Sequence, residues 1–389
     1  MMQLGSFPAG SQPEPEVGLH RLRNCQWEAT TELTIPADWL SGVYVAKLTE
    51  KKTKLQSYII FIVTDDRPSD LLFQCSDHTW QAYNRWPNQF SLYDNGVSQW
   101  YWGPGSAVSF NRPYGKYCQI LDQPLSLGSG EFFLWEFPFA FWLEAQGYDV
   151  AYCSNRDTHH RPERLHQSKG FLSVGHDEYW TIEMFRNVQQ AIQQGVNVGF
   201  FSGNAVCGRI EFNETSRSFE RTGVFGPPGG TREFESMSHL PHERPYANEL
   251  IGAHSTGPVT GGADWICTAP EHWIYQGTGM QQGDAIPGVI GWEWHGDPTA
   301  NNPGLEIVAT GPTESSPGTL NGGTYTATVY DGPKGNFVFN AATCWWADGL
   351  SEPPGYVRPQ VYTAPQGPDL RQQQITRNIL DRMVRMSVS

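Results

Sequence analysis

Five stretches of this chain are apolar with little or no alternation: SYIIFIV (57–63), DLLFQC (70–75), YDVAYC (148–153), GFLSVG (170–175) and VNVGFFSG (196–203). A strand with one wet face alternates apolar and polar residues, whereas a strand covered on both faces does not. Covering both faces of a sheet takes helices, and the intervening sequence supplies them. IEMFRNVQQAIQQG places Ile182, Phe185, Val188 and Ile192 on one stripe and stops at Gly195. GEFFLWEFPFAFWLEAQG is apolar all round, with Ser129 as its expected cap, a kink expected at Pro138 and a stop at Gly147. Strands and helices in this order predict an α/β fold with a mainly parallel sheet flanked by helices.

The flanks read differently. Residues 1–24 are rich in Pro, Gly and Glu and read as an extended arm. Residues 25–56 alternate through Trp27, Ala29, Leu33, Ile35, Val43 and Val45, which predicts short β-strands, the remnant of a β-sandwich. The α/β domain then spans 57–389, interrupted at about 210–320 by a Gly-, Pro- and Thr-rich insertion. That insertion carries the strand-like pieces DWICTA (264–269), HWIYQG (272–277) and GVIGWEW (288–294). The rhythm returns with TYTATVY (324–330), NFVFNAATCWW (336–346) and a terminal helix over about 368–386.

Charge and cysteine usage narrow the function classes. A net charge of −14 with no basic cluster argues against nucleic acid and against anionic membranes. The most apolar stretch, Phe132 to Leu143, is too short to span a bilayer, and the N-terminus lacks the pattern of a secretory signal. Both point to a cytoplasmic protein. Seven cysteines without a C-x-x-C pair speak against a disulfide framework or a thiolate zinc site.

In open α/β sheets ligands bind beyond the carboxyl ends of the strands. Three polar segments fall there: SDHTWQAYN (76–84), HDEYW (176–180) and GNAVCG (203–208); a fourth, SFNRPY (109–114), lies between the first two. They nominate Tyr83, Tyr114, His176, Glu178 and Asn204. Each also has an ordinary explanation: a carboxylate at a helix N-terminus for Glu178, a satisfied histidine for His176, packing aromatics for the tyrosines, a turn former for Asn204. Asp177 is expected to face away from the cleft, and Trp80, Trp86, Trp180, Trp292 and Trp294 to pack in core or pocket walls.

TWQAYN, SFNRPY, WLEAQGYDV, GHDEYW and GVNVGFFSGN, in this order, resemble the catalytic large subunit of N,N-dimethylformamidase over roughly residues 40–390. The resemblance implies a class I glutamine-amidotransferase-like fold and a mononuclear iron, as Fe³⁺, held by two tyrosinates and a glutamate. Carried over motif by motif, these are Tyr83, Tyr114 and Glu178, with Tyr93, Tyr101 and Tyr117 near the second tyrosine. His176 and Asn204 become catalytic groups facing the substrate. The implied reaction is hydrolysis of a small amide, with the metal activating carbonyl and water. Three anionic oxygen ligands suit a hard trivalent ion. A homo-oligomer is expected, and no small subunit is implied. Two other readings remain open: a non-catalytic module binding a small molecule or carbohydrate, and a metal-free amidohydrolase using Cys75 or Cys207.

Overall fold

The computed structural model describes residues 4–8, 10–101, 103–116, 128–221, 246–298, 301–314, 322–358 and 367–385, with only the backbone for 255–261. In chain order its elements are β1 (Gly42–Thr49), β2 (Gln56–Val63), β3 (Ser69–Cys75), α1 (Asp77–Tyr83), β4 (Ala107–Ser109), α2 (Phe132–Trp135), α3 (Phe137–Gln146) and β5 (Val150–Ser154). Next come α4 (Asn155–His160), β6 (Ser168–Gly175), β7 (Tyr179–Trp180), α5 (Ile182–Gln194), β8 (Asn197–Ser202), β9 (Gly208–Asn213), β10 (Ser218–Arg221) and α6 (Ala247–Ile251). The last are β11 (Ser255–Ile266), β12 (Ala285–His295), β13 (Glu306–Thr313), β14 (Gly323–Asp331), β15 (Phe337–Asn340) and α7 (Leu370–Arg385).

The scaffold is a seven-stranded sheet in the order β13-β14-β15-β8-β6-β3-β5. Its β15, β8, β6, β3 and β5 run parallel, and β14 and β13 extend one edge antiparallel. The mixed α/β class expected from the apolar runs is therefore present. Leu71, Phe73, Leu172, Val174 and Phe201 join one core with α3 and α7, while Leu72, Phe171, Val198 and Phe200 join another with α5. Alternate residues of each strand thus feed opposite layers, which is why those strands carry no polar face.

Several expectations change. SYIIFIV is not a strand of the main sheet: as β2 it forms an antiparallel hairpin with β1, and Ile59 is exposed. A run of apolar residues does not say which neighbour a strand pairs with. The hairpin is fixed to the sheet edge through Ser41, whose Oγ accepts from the backbone N–H of Tyr152 at 2.8 Å. The helix over 130–147 is two helices meeting at Glu136, with Pro138 in the first turn of the second, where its missing N–H costs nothing. Ser129 caps neither of them; Glu131 stands at the first N-terminus. HWIYQG forms a short 3-10 turn, Trp273–Tyr275, in place of a strand. β13 lies within the stretch read as an insertion, yet it pairs with β14 in the main sheet.

Beside the β1–β2 hairpin, two further small sheets lie among the described residues. β4, β10, β9 and β7 form one; β11 and β12 form a long bulged hairpin. The N-terminal arm docks beside the first. Arg21 bonds Asp94 at 2.7 Å, and the guanidinium groups of Arg21 and Arg23 lie over the Phe90 ring. No described helix is long and apolar enough to cross a membrane.

Candidate active site

The segment after β6 turns into the protein interior. Gly175 has φ +75°, and a Cβ there would stand 2.6 Å from Trp135 Cβ and 2.9 Å from the Trp135 carbonyl oxygen. Only glycine fits both the left-handed backbone and the close approach of α2. The chain then places His176, Asp177 and Glu178, all fully buried, on three different errands.

Asp177 points back under the sheet. It accepts from Gln74 Nε2 at 2.6 Å, Asn155 Nδ2 at 2.8 Å and Ser173 Oγ at 2.8 Å. Those bonds satisfy the carboxylate locally, so Asp177 ties the carboxyl ends of β3, β5 and β6 together, away from the cleft.

Glu178 meets the tyrosines. Tyr83 Oη donates to Glu178 Oε2 at 2.6 Å, and Tyr93 Oη lies 2.7 Å from Tyr83 Oη and 3.4 Å from Glu178 Oε1. The helix geometry of α1 decides which tyrosine can take part. Thr79 and Tyr83, four residues apart, share one face. Thr79 Oγ1 accepts the backbone N–H of Glu178 at 3.0 Å, so that face looks at the β6 loop. Asp77, Trp80 and Gln81 lie on another face, and there Tyr114 sits. Its ring is edge-on to Trp80 at 6.3 Å, and it hydrogen-bonds Gln81 along a cleft of about 290 Å³. The structure therefore brings Tyr83 and Glu178 together and sets Tyr114 apart; Tyr93, from the loop after α1, takes the adjacent position. Tyr101 lies at that loop's far end, its N–H bonded to the Tyr93 carbonyl, and Tyr117 falls outside the described residues.

SFNRPY still serves the site, through its arginine. Buried Arg112 donates to the Phe90 carbonyl at 2.7 Å, the Gln81 carbonyl at 3.0 Å and Gln81 Oε1 at 3.1 Å. It staples the helix carrying Tyr83 to the loop carrying Tyr93. Burial lowers its pKa to about 9, which leaves it charged at neutral pH.

His176 faces the third group. Its Nε2 pairs with Glu293 Oε2 and lies 3.3 Å from Glu178 Oε2. Burial alone would push the imidazole down, but the carboxylates of Glu293 and then Glu178 outweigh it and raise the pKa to about 9. Glu293 comes from β12, inside the insertion. It also accepts from Asn204 Nδ2 at 3.0 Å. Asn204 stands just past β8 with φ +48°, a conformation asparagine tolerates. Gly203 admits this neighbour: a Cβ there would run into the Glu293 carbonyl and stand 2.7 Å from Cys344 N. Asn204 Oδ1 and His176 Nδ1 are buried without a hydrogen-bond partner among the described residues.

Cys344, past the end of β15, completes this side. Its Sγ, a His176 ring nitrogen and a Glu293 oxygen lie within 4.8 Å of one another. Burial, then Glu293, push its thiol well above the ordinary range. Cys75 and Cys207, the thiols nominated from position, are buried, and burial also drives the Cys75 thiol well up. A thiolate nucleophile needs the opposite shift.

Sequence reasoning named Tyr93 only as a neighbour of Tyr114, and it missed Glu293, Tyr179, Arg221 and Cys344. Glu293 did leave a trace, because GVIGWEWH is an apolar strand with one carboxylate between two tryptophans. A buried unexplained charge of that kind signals a partner. Tyr93 in FSLYDNG left no periodic trace; only its position ten residues past Tyr83 hints at it.

These features put the molecule among α/β proteins that gather a polar, water-poor site beyond the carboxyl edge of a mostly parallel sheet. Within that class the chain belongs to the family described as N,N-dimethylformamidase beta subunit-like, C-terminal, whose profile matches residues 1–360. The matched region takes in the N-terminal arm as well as the sheet. No curated protein matches the chain.

Proposed function

We propose that the chain is an iron-dependent hydrolase of a small amide, built on a glutamine-amidotransferase-like scaffold, with Tyr83, Tyr93 and Glu178 as the metal ligands. One observation carries the reading. Two phenols and a carboxylate from three separate segments meet within 2.6–3.4 Å of one another in the protein interior. Burial pushes both phenols well above their usual pKa, so without a cation the cluster is held by its own protons. The donor set fits a hard trivalent ion, for which oxygen ligands are preferred. When bound, iron supplies Lewis acidity toward an amide carbonyl and a water molecule.

The protein's own groups do the rest. His176 and Glu293 form a buried pair that can hold a proton and hand it to a departing amine. Asn204 Nδ2, fixed by Glu293, offers a donor toward a developing oxyanion; losing one such donor costs ~3 kcal/mol elsewhere. Trp135, its ring 6.2 Å from His176, keeps the imidazole in place and excludes water. The described cysteines form no disulfide with one another, in keeping with work in the cytoplasm.

The test is elemental analysis of protein made in iron-containing medium, with amine release from small amides followed alongside. Wild type and Tyr114→Phe are expected to carry iron and a visible tyrosinate-to-iron band; Tyr83→Phe and Tyr93→Phe are expected to lose both. Protein that takes up no iron overturns the proposal, and so does a Tyr93→Phe variant with full occupancy and an unchanged band. A second reading, a metal-free thiol hydrolase, is favoured only by the proximity of Cys344, His176 and Glu293. Full turnover in Cys344→Ala excludes it.

A further inference from the structure

The small sheet β4-β10-β9-β7 has no evident task in the proposed chemistry, yet two of its strands end at the tyrosine cluster. Tyr179, on β7, directly follows Glu178, and its Oη is in close hydrogen-bond contact with Tyr93 Oη. Arg221, the last residue of β10, donates through Nη2 to Tyr179 Oη at 2.8 Å. The same guanidinium lies over the Tyr93 ring, 4.6 Å from its centroid. Both Tyr179 and Arg221 are buried. β9 joins them, pairing parallel to β7 through Tyr179↔Gly208 and antiparallel to β10 through Arg221↔Ile210.

The direction of the relay follows from donor counting. A guanidinium has only donors, so Tyr179 Oη must accept from Arg221. That leaves the Tyr179 proton free to be donated, and Tyr93 Oη is in reach. Tyr83 has a different environment: its oxygen meets Glu178 and Tyr93, and its ring is tilted 5.6 Å from His176. That imidazole is paired with the Glu293 carboxylate, so its charge is offset, and no Arg or Lys lies over the Tyr83 ring among the described residues.

We propose that Tyr179 and Arg221 are positioning residues that make the two tyrosinates unequal, with Tyr93 the weaker electron donor to the metal. A hydrogen bond to a phenolate oxygen and a cation over its ring both stabilise the anion, and so lower the energy of the electrons it can share. Tyr83 keeps full donor strength. The consequence is chemical: a weakened phenolate leaves the metal more Lewis-acidic than two equal tyrosinates would. The inference rests on the proposed metal reading, but it concerns the small sheet, which that reading does not use.

The experiment is the visible spectrum of the iron-loaded full chain, with iron content and thermal midpoint measured on each variant. Tyr179→Phe keeps the ring and removes the donated proton. Its tyrosinate band is expected to move to longer wavelength, by tens of nanometres, while iron stays bound. Arg221→Met is expected to move it the same way, and Arg221→Lys, which restores a charge and a donor, to bring it part of the way back. A Tyr179→Phe band at the wild-type position with iron bound overturns the relay and leaves the metal reading standing. Wild-type protein with no iron and no band overturns the metal reading and the relay with it. Should Tyr179→Phe fail to fold, the Arg221→Met and Arg221→Lys pair decides: equal bands in wild type and both variants overturn the relay.

Discussion

Arg112 offers the sharpest test of how the site is assembled. Among the described residues, its guanidinium is the group that bonds both the α1 backbone at Gln81 and the loop backbone at Phe90. Replacing it by methionine keeps much of the volume and removes all three bonds. The Gln81 carbonyl retains the N–H of Asn84 at 3.2 Å, so it is not stranded. The Phe90 carbonyl loses its charged donor inside the protein, which costs about 1–3 kcal/mol. The lost charge-assisted bonds add on the order of 1.5–3 kcal/mol each, offset by no longer having to bury a charge. Burial already takes the Arg112 pKa down to about 9, so that offset is real. A net loss of about 3 kcal/mol follows, or roughly 1 M in urea midpoint for an m-value near 3 kcal/mol/M.

The more telling effect is local. Without the staple, the Tyr93 loop still meets α1 through the Leu92 N–H bond to the Ala82 carbonyl at 2.8 Å and the Tyr83–Tyr93 ring stack, but it loses its charged tie, so iron occupancy should fall further than global stability does. Arg112→Lys discriminates charge from geometry. One ammonium cannot reproduce a fork reaching two carbonyls and a side-chain amide, so it should recover less than half of the loss. Urea titration and iron analysis on both variants settle the matter. Arg112→Met with wild-type midpoint and wild-type iron content would refute the reasoning, because the buried fork would then be holding nothing.

Two further perturbations follow from the same geometry. Gly175→Ala puts a Cβ 2.6 Å from Trp135 Cβ on a left-handed backbone, so it should cost several times the ~1 kcal/mol of an ordinary exposed glycine change and displace His176; a thermal midpoint equal to wild type would contradict it. Asp77 is raised to about 7 by burial, against the bond it accepts from Asn155 N at 2.7 Å. A carboxyl raised above its unfolded value of about 3.9 favours the folded state fully below that value. The contribution disappears as pH rises through about 7. Asp77→Asn should therefore gain stability relative to wild type as pH rises from about 4 to about 8. A difference that stays constant across that range in denaturation curves would show that Asp77 is ionised throughout.

How much of this was legible beforehand depends on the range over which each contact acts. The strands β3, β5, β6 and β8 announce themselves because burial on both faces writes a local pattern, and α5 because a helix in contact with a sheet needs a stripe. Thr181 caps it and Gly195 ends it in the left-handed region, both readable within a few residues. Tyr83 and Glu178 were reachable because each stands one step beyond a recognisable strand or helix. Tyr93 could be named only as one of several tyrosines near Tyr114, since its place is set by Arg112 and by the arm residue Arg21 holding Asp94. Those contacts join residues 73 apart and 22 apart in sequence, and no periodicity encodes them. SYIIFIV shows the converse limit: local pattern identified a strand but not its partner. Tyr114 shows a third limit. In SFNRPY it is Arg112, and not Tyr114, that the structure sets against the Tyr83 helix and the Tyr93 loop.

The three flanking structures divide the labour around the cluster. The main sheet supplies Glu178, His176 and Asn204 from consecutive parallel strands. The β11–β12 hairpin reaches across to contribute Glu293, with the bridge between Trp294 and Thr343 setting its depth. The small sheet contributes Tyr179 and Arg221 from the opposite side. Tyr93 lies where the small sheet and the arm-braced loop converge on Glu178. It is therefore the proposed ligand whose position depends on the most elements at once and on the fewest residues of its own. That asymmetry explains why substitutions remote from the cluster, at Arg21, Arg112 or Arg221, should act on the site through one phenol, while the Tyr83–Glu178 contact, fixed by α1 and the β6 loop through Thr79, stays in place.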